Sequence, residues 1–165
     1  MKSAIIAALA IASVLVSCSS TNDPSAPSVA NSFVVNGSGY TDARFTGDAG
    51  DTAAIAGGAD GKGAITISGS TPTSGERFTI TLVTRSTATG SYSIGITSGS
   101  GMTMLVTNGS AMTSYLATSG SISISEWDAG GRVKGTFSGS FVVSTSPMTT
   151  ALQVTAGTFD AKLVD

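Results

Sequence analysis

Alternation of apolar and polar residues, which dominates the chain from residue 33 to residue 164, is the feature that most limits how this protein can fold. In 132–143, valine, glycine and phenylalanine fall on one face, and arginine, lysine, serine and threonine fall on the other. Residues 65–68 and 78–83 repeat the same period of two. Because successive side chains of a β-strand point to opposite faces, each segment predicts a half-buried strand.

Further segments of this character bring the total to about ten short strands, a number typical of an antiparallel sandwich or a small barrel. They are 52–56, 91–96, 102–107, 114–117, 121–125, 152–155 and 157–164. Turn chemistry that tolerates positive φ occurs at Asn36-Gly37, Asp60-Gly61, Asn108-Gly109 and Gly130-Gly131. The pattern predicts an all-β fold, as a single antiparallel β-sandwich-like domain or, alternatively, a small β-barrel.

Two glycines lie on the inner face of the longest predicted strand. Gly135 and Gly139 alternate there with valine and phenylalanine. A glycine on a core-facing position leaves room for a neighbouring side chain or marks a sharp bend. We therefore expect an aromatic ring or a bend at these positions.

Composition excludes several classes of function. The formal net charge is −2, so the chain lacks the basic surface that nucleic-acid binding requires. Histidine is absent and Cys18 is the sole cysteine, which excludes a disulfide framework, Cys/His zinc sites and histidine-based catalytic triads. Neither Gly-x-Ser-x-Gly nor Ser-x-x-Lys occurs, so a serine hydrolase is excluded and no cofactor is predicted.

The first residues have the layout of a secretory signal. Lys2 supplies a positive charge, and 4–16 is uncharged and too short for a membrane span of about 20 residues. Leu-Val-Ser-Cys at 15–18 resembles a bacterial lipobox, in which Cys18 receives a diacylglycerol thioether and becomes the mature N-terminus. A plain signal peptide with an incidental cysteine is the alternative.

The lipobox predicts how the chain is organised and where it is held. We expect a signal peptide at 1–17, a lipidated N-terminus and flexible tether at 18–31, and one all-β domain at 32–165. Several acyl chains, such as palmitate, make a stable membrane anchor where one would be marginal. Ser19 rather than aspartate follows the cysteine, which in bacteria with two membranes favours the outer membrane.

The C-terminal third resembles a known family. The motifs are Gly-x-Ile-x-Ile at 120–124, Trp127-Asp128, and Gly-Thr-Phe at 135–137 and again at 157–159. Together they are similar to a family of uncharacterised lipoproteins, with a domain of unknown function, from Bacteroidota and neighbouring phyla. The resemblance implies a small all-β domain on a lipid anchor and brings no established activity.

One pair of carboxylates is spaced as in some glycosidases. Glu126 and Asp128 share a strand face at about 7 Å, near the separation of an inverting glycosidase pair. In the alternative interpretation, Asp128 caps the amides of the following turn and Trp127 packs. A buried Trp127 would favour that second interpretation.

Two other groups of residues are candidate ligand sites. Asp48, Asp51 and Asp60 lie in a Gly/Ala-rich stretch and could hold Ca²⁺, or could be solvated loop carboxylates. Among the aromatic residues, Trp127 and Tyr115 are candidates for a binding platform, with Asp128 beside the former. We assign Tyr92 to the core because it alternates with isoleucines, and Tyr40, the remaining tyrosine, is not retained as a candidate.

These observations lead to one main hypothesis and two rivals. The main hypothesis is a non-enzymatic lipoprotein of the outer membrane, a binding or structural component of the cell envelope with an envelope protein or glycan as partner. The first rival is a carbohydrate-active enzyme working through Glu126 and Asp128. The second is a calcium-dependent adhesion module built on the three aspartates.

Overall fold

Strands account for almost all of the structure. The computed structural model describes residues 31–47, 52–56, 61–71, 74–128, 131–144 and 150–164, and no helix occurs among them. In chain order the strands are β1 (Asn31–Gly37), β2 (Tyr40–Gly47), β3 (Thr52–Ala56), β4 (Gly63–Ser70), β5 (Arg77–Thr84), β6 (Gly90–Ile94), β7 (Gly101–Asn108), β8 (Ala111–Asp128), β9 (Arg132–Val143) and β10 (Thr150–Val164). The predicted all-β class is confirmed.

Eight strands close into a barrel, so the chain adopts the second of the two architectures that alternation left open. Around the barrel the order is β1, β2, β4, β5, β7, β8, β9 and β10, and β10 pairs with β1. Every one of these pairings is antiparallel. Closure matters because it gives the outermost strands a partner and removes open sheet edges.

Two short strands complete the wall at one end. Strand β3 lies between β4 and β10 and runs parallel to β10, the one parallel pairing among the described strands. Strand β6 pairs with the second half of β8, whereas β7 pairs with the first half. The long strand β8 therefore pairs with different strands along its length.

Both long strands contain a residue of positive φ where the sequence predicted a break. The segments predicted at 114–117 and 121–125 form one strand, β8, with Gly120 at φ +145° between them. A Cβ at that position would overlap the carbonyl oxygen of Ser138. In β10, Ala156 at φ +50° lies at an irregularity in the pairing with β9. These local conformations allow a single strand to follow the curved wall.

Aromatic side chains fill the middle of the barrel. The ring of Phe78 meets Phe33 and Phe45 edge-to-face, with centroids 4.3 and 4.8 Å apart, a geometry that adds about 0.5–1.5 kcal/mol per pair beyond area burial. The prediction for the inner-face glycines is confirmed at Gly135, where a Cβ would lie 2.6 Å from Cζ of Phe159.

The other inner-face glycine accommodates a methionine instead. A Cβ at Gly139 would lie 2.5 Å from Cε of Met102. At both glycines, therefore, a neighbouring side chain occupies the space that a Cβ would take.

The two ends of the barrel differ, and we name each by its aromatic residues. The loops β1–β2, β4–β5 and β7–β8 form the tyrosine end, where Tyr40 and Tyr115 lie. The β8–β9 turn, the start of β4 and the end of β10 form the tryptophan end, where Trp127 lies. Candidate residues are therefore split between two separate surfaces.

The described part of the chain contains no helix with the length and apolarity needed to span a lipid bilayer.

Candidate functional site

A cavity of about 560 Å³ opens at the tyrosine end, within the range of small-molecule sites. Its lining comes from the β1–β2 hairpin and the β4–β5 loop. The described lining residues are Ser38, Gly39, Tyr40, Thr41, Ala43, Thr71, Ser74 and Glu76. Among them, Glu76 alone carries a formal charge at neutral pH.

The carboxylate of Glu76 is held by neutral donors. Ser74 Oγ donates to Oε2 at 3.1 Å, and Asn108 Nδ2 donates to Oε1 at 3.2 Å. Tyr40 lies close enough to this carboxylate for Glu76 to help raise the pKa of its phenol. Within the described residues, no basic side chain forms an ion pair with Glu76. The carboxylate is therefore fixed in position while its negative charge stays uncompensated.

The negative charge of Glu76 affects the pKa values of the two tyrosines at this end. Burial, the negative charge of Glu76 and the nearby Tyr115 together raise the pKa of Tyr40 to about 12. Burial and the charge of Glu76 also raise the pKa of Tyr115. Both phenols consequently stay protonated at neutral pH, as donors and apolar surface rather than as bases or nucleophiles.

Local backbone chemistry places Tyr40 at the cavity. Gly37, Ser38 and Gly39 all have positive φ, a run of conformations that glycine adopts without steric penalty. Asn36 and Asp42 brace the hairpin from outside. Asn36 Nδ2 donates to Asp42 Oδ1 at 3.1 Å, and the backbone N–H of Asp42 donates to Asn36 Oδ1 at 2.8 Å.

Tyr40 connects the cavity to the core, and Tyr115 is buried at the same end of the barrel. The ring of Tyr40 packs at 5.9 Å from that of Phe45, and Tyr115 is 7% exposed. Their positions therefore depend on core packing rather than on mobile surface contacts. The site combines hydroxyl and amide groups, one carboxylate and aromatic surface, which can hold a ligand by hydrogen bonds, charge and ring contact.

Trp127 packs across the interior at the opposite end. It is partly buried against the core, and a Cβ at Gly63 would overlap its indole ring. Because Gly63 begins β4, which is not a neighbour of β8 in the barrel, the ring must cross the interior to reach it. Packing of Trp127 was the alternative to the glycosidase-like interpretation in the sequence analysis.

The carboxylates beside Trp127 point to the outside of the wall. Lys134 Nζ forms an ion pair with Glu126 Oε2 at 2.7 Å. Asp128 is exposed, and its backbone oxygen accepts from the N–H of Gly131 at 3.0 Å in the β8–β9 turn. Farther along the same wall, Arg132 and Asp160 form a bidentate ion pair. Opposite charges are matched across this surface.

The structure does not bring the predicted ligand-binding residues together. Tyr115 lies near the start of β8 and pairs with Val143, whereas Trp127 lies near its end and pairs with Val133. Sequence reasoning missed Glu76, which the folded chain places beside Tyr40. A hint was present, since Glu76 follows Gly75 and precedes a strand, where loop residues carry function.

Other predicted site residues lie outside the described residues. These are Cys18, the predicted lipid attachment site, and the calcium candidates Asp48, Asp51 and Asp60. Across the described part of the chain, no group of three or more Asp, Glu, Cys or His residues is arranged to hold a metal ion.

Fold and site together define a small all-β barrel with a polar cavity at one end and a packed tryptophan at the other. The chain belongs to the family described as a domain of unknown function (DUF6252), which matches residues 42–161. No curated protein and no solved structure matches the chain.

Proposed function

We propose that this protein is a lipid-anchored component of the bacterial outer membrane and that its barrel is a non-enzymatic binding module with its ligand site at the tyrosine end. An envelope protein or glycan, or a smaller molecule of the envelope, is the partner. The observation that carries the binding role is the uncompensated carboxylate of Glu76 in a cavity beside Tyr40.

The anchor is supported by the sequence. The sole cysteine, Cys18, stands at the end of a lipobox-like Leu-Val-Ser-Cys, after a short uncharged run. The motifs in 119–142 resemble those of lipoproteins from Bacteroidota, which agrees with the same location. An acylated N-terminus holds a domain at a membrane surface without a spanning segment.

The binding role is favoured over catalysis by the state of the polar groups. Raised pKa values keep Tyr40 and Tyr115 protonated. At the other end, Glu126 is engaged by Lys134. A fixed carboxylate with hydroxyl neighbours is suited to recognition, because it offers acceptors and charge without a base poised to move a proton.

The anchor is tested by intact-mass analysis of the protein from bacterial membranes, beside Cys18→Ala and the matched control Ser20→Ala. We expect acyl mass on the wild type and on Ser20→Ala, and soluble release of Cys18→Ala. An unmodified chain released in all three cases would contradict the anchor.

The binding role is tested by NMR of the full chain, titrated with a small-molecule extract of bacterial envelopes. The chain has three tyrosines and one tryptophan, so their ring signals report the two ends separately. We expect changes at Tyr40 and Tyr115 but not at Trp127. Changes confined to Trp127 would contradict the assignment of the site.

A further inference from the structure

The charge in the cavity limits which ligands can bind at the tyrosine end. Glu76 is the single charged residue among the described lining residues, and its described partners Ser74 and Asn108 are neutral. A carboxylate has about four acceptor positions, and the donors Ser74 and Asn108 occupy one on each oxygen. A ligand that relied on many hydrogen bonds to Glu76 would find few free, whereas a positive charge needs only to come close.

We propose that this cavity binds a small organic cation, with the carboxylate of Glu76 as its counter-ion and the ring of Tyr40 as its apolar contact. The inference rests on the proposed function and adds the chemical class of the ligand. A cation over a tyrosine ring is attracted by the ring quadrupole. Attraction to the carboxylate adds to this, and more strongly in a partly buried site than in water.

A metal ion fits the site less well than an organic cation. Ca²⁺ requires six to eight oxygen ligands, commonly several carboxylates, whereas Glu76 is the single carboxylate among the described lining residues. Ser74 and Asn108 direct hydrogens, not lone pairs, at that carboxylate. The cavity volume of about 560 Å³ and the aromatic surface suit an alkylated ammonium group.

The surrounding charges do not remove this preference. Arg77 is exposed and next to Phe78, whose side chain is buried, so alternation directs the two to opposite faces of β5. Asp42, bound to Asn36 on the outside of the hairpin, adds a second negative charge near the rim. The matched ion pairs of the barrel lie at the tryptophan end. Arg44, exposed on β2, and Arg77 balance the formal charges of Asp42 and Glu76 at this end, so the attraction for a cation comes from the carboxylate inside the cavity.

The test is calorimetric titration of the full chain with tetramethylammonium chloride, against sodium chloride at equal ionic strength. Glu76→Gln removes the counter-ion, and Glu126→Gln is the matched control because it removes a carboxylate at the other end. We expect saturable binding that Glu76→Gln weakens at least about tenfold and that Glu126→Gln leaves within about twofold. Circular dichroism checks that each variant is folded.

A second variant keeps the test decisive if Glu76→Gln fails to fold. Tyr40→Ala removes the ring and leaves the carboxylate, and we expect it to weaken tetramethylammonium binding about three- to tenfold. An absence of saturable binding, or equal binding to wild type and Glu76→Gln, would overturn the inference.

A neutral probe separates this inference from the proposed function. If methyl α-D-glucopyranoside binds with changes at Tyr40 while tetramethylammonium does not, the ligand class is wrong and the binding role of the tyrosine end stands. If the envelope extract changes only Trp127, the proposed function itself fails.

Discussion

The two ends of the barrel use carboxylates in opposite ways. At the tryptophan end, Glu126 pairs with Lys134 and Asp160 pairs with Arg132, so these two acids each meet a base on the outer wall. At the tyrosine end, Glu76 meets only neutral donors among the described residues. Paired charges stabilise a surface modestly and leave nothing for a ligand to neutralise. A carboxylate that is held in position without a basic partner can still bind a positively charged ligand.

Side-chain packing also differs between the two ends of the barrel. The indole of Trp127 fills the tryptophan end down to the backbone of Gly63. At the tyrosine end the hairpin glycine Gly39 has no atom within 4 Å of the position of a Cβ. A smaller cavity of about 310 Å³ lies beside Arg132 and Asp160 at the tryptophan end, so the ends differ in their interiors, where the indole fills one and the larger cavity borders Tyr40 at the other. Substitutions should distinguish the two ends, with stability lost at one end and binding at the other.

The largest expected effect is that of Trp127→Ala. Removing a packed indole leaves a void that the wall cannot fill, so we expect the free energy of unfolding in urea to fall by about 3 kcal/mol. Tyr40→Ala, whose ring borders an existing cavity, should cost less than half as much. Equal losses from the two variants would break the distinction between the ends.

The contact between Gly63 and Trp127 gives the next largest effect. A methyl group at 63 must displace the indole, so Gly63→Ala should cost about 2 kcal/mol. In a Trp127→Ala background the same change should cost about 1 kcal/mol, because Thr84 Oγ1 still lies 2.8 Å from the added Cβ, and the coupling energy is then about 1 kcal/mol. Gly101→Ala is the control, because nothing lies within 4 Å of the Cβ it would add. Additive losses at 63 and 127 would contradict the contact.

Titration of Tyr40 tests the role of the tyrosine end through the pH dependence of stability. Its pKa is about 12 in the folded protein against 10.0 ordinarily. The stabilisation from keeping this phenol protonated is therefore complete below pH 10 and is lost as pH rises through 12. We expect the free energy of unfolding to fall over that interval in the wild type, and to fall less in Tyr40→Phe.

Absorbance of the phenolate gives an independent readout of the same interaction. Glu76→Gln removes the charge but leaves burial, so the pKa of Tyr40 should drop while staying above 10.0. Glu126→Gln should leave it unchanged. A pKa that is the same in wild type and Glu76→Gln would show that the carboxylate does not act on Tyr40.

The smallest effect is expected for the outer ion pair. Lys134 and Glu126 side chains are 38% and 43% exposed, so Lys134→Met should cost no more than about 1 kcal/mol, and less at high salt. Chemical denaturation at two salt concentrations measures this. A loss that equals that of Trp127→Ala would mean that charge, rather than packing, stabilises the tryptophan end.

Alternation is a local property, and the segments predicted from it coincide with β3 to β10 but did not include β1 and β2. It placed the inward face of β9 correctly, with Val133, Phe137 and Phe141 buried. It divided β8 and β10 because Gly120 and Ala156 interrupt the period, although both strands continue past these residues. Closure into a barrel depends on the pairing of β1 with β10, which no local pattern encodes.

The site was less predictable than the fold for the same reason. Tyr115 was a candidate by residue type, but Glu76, the residue that gives the cavity its charge, looks like an ordinary loop acid in the sequence. Its neighbours Tyr40 and Asn108 lie more than thirty residues away on either side. Hydrogen-bond partners across a barrel follow strand order, and strand order follows from the whole chain.

Closure of the barrel by its first and last strands also leads us to expect a particular order of events in folding. The side chain of Asn31, at the start of β1, accepts a hydrogen bond from the backbone of Asp160 across 129 residues of chain. Contacts of such separation are made slowly, because most of the loop entropy must be lost before they form. The strand that is synthesised first is thus among the last to be secured, and a chain cut before β10 would be left with two open edges prone to pair with other chains.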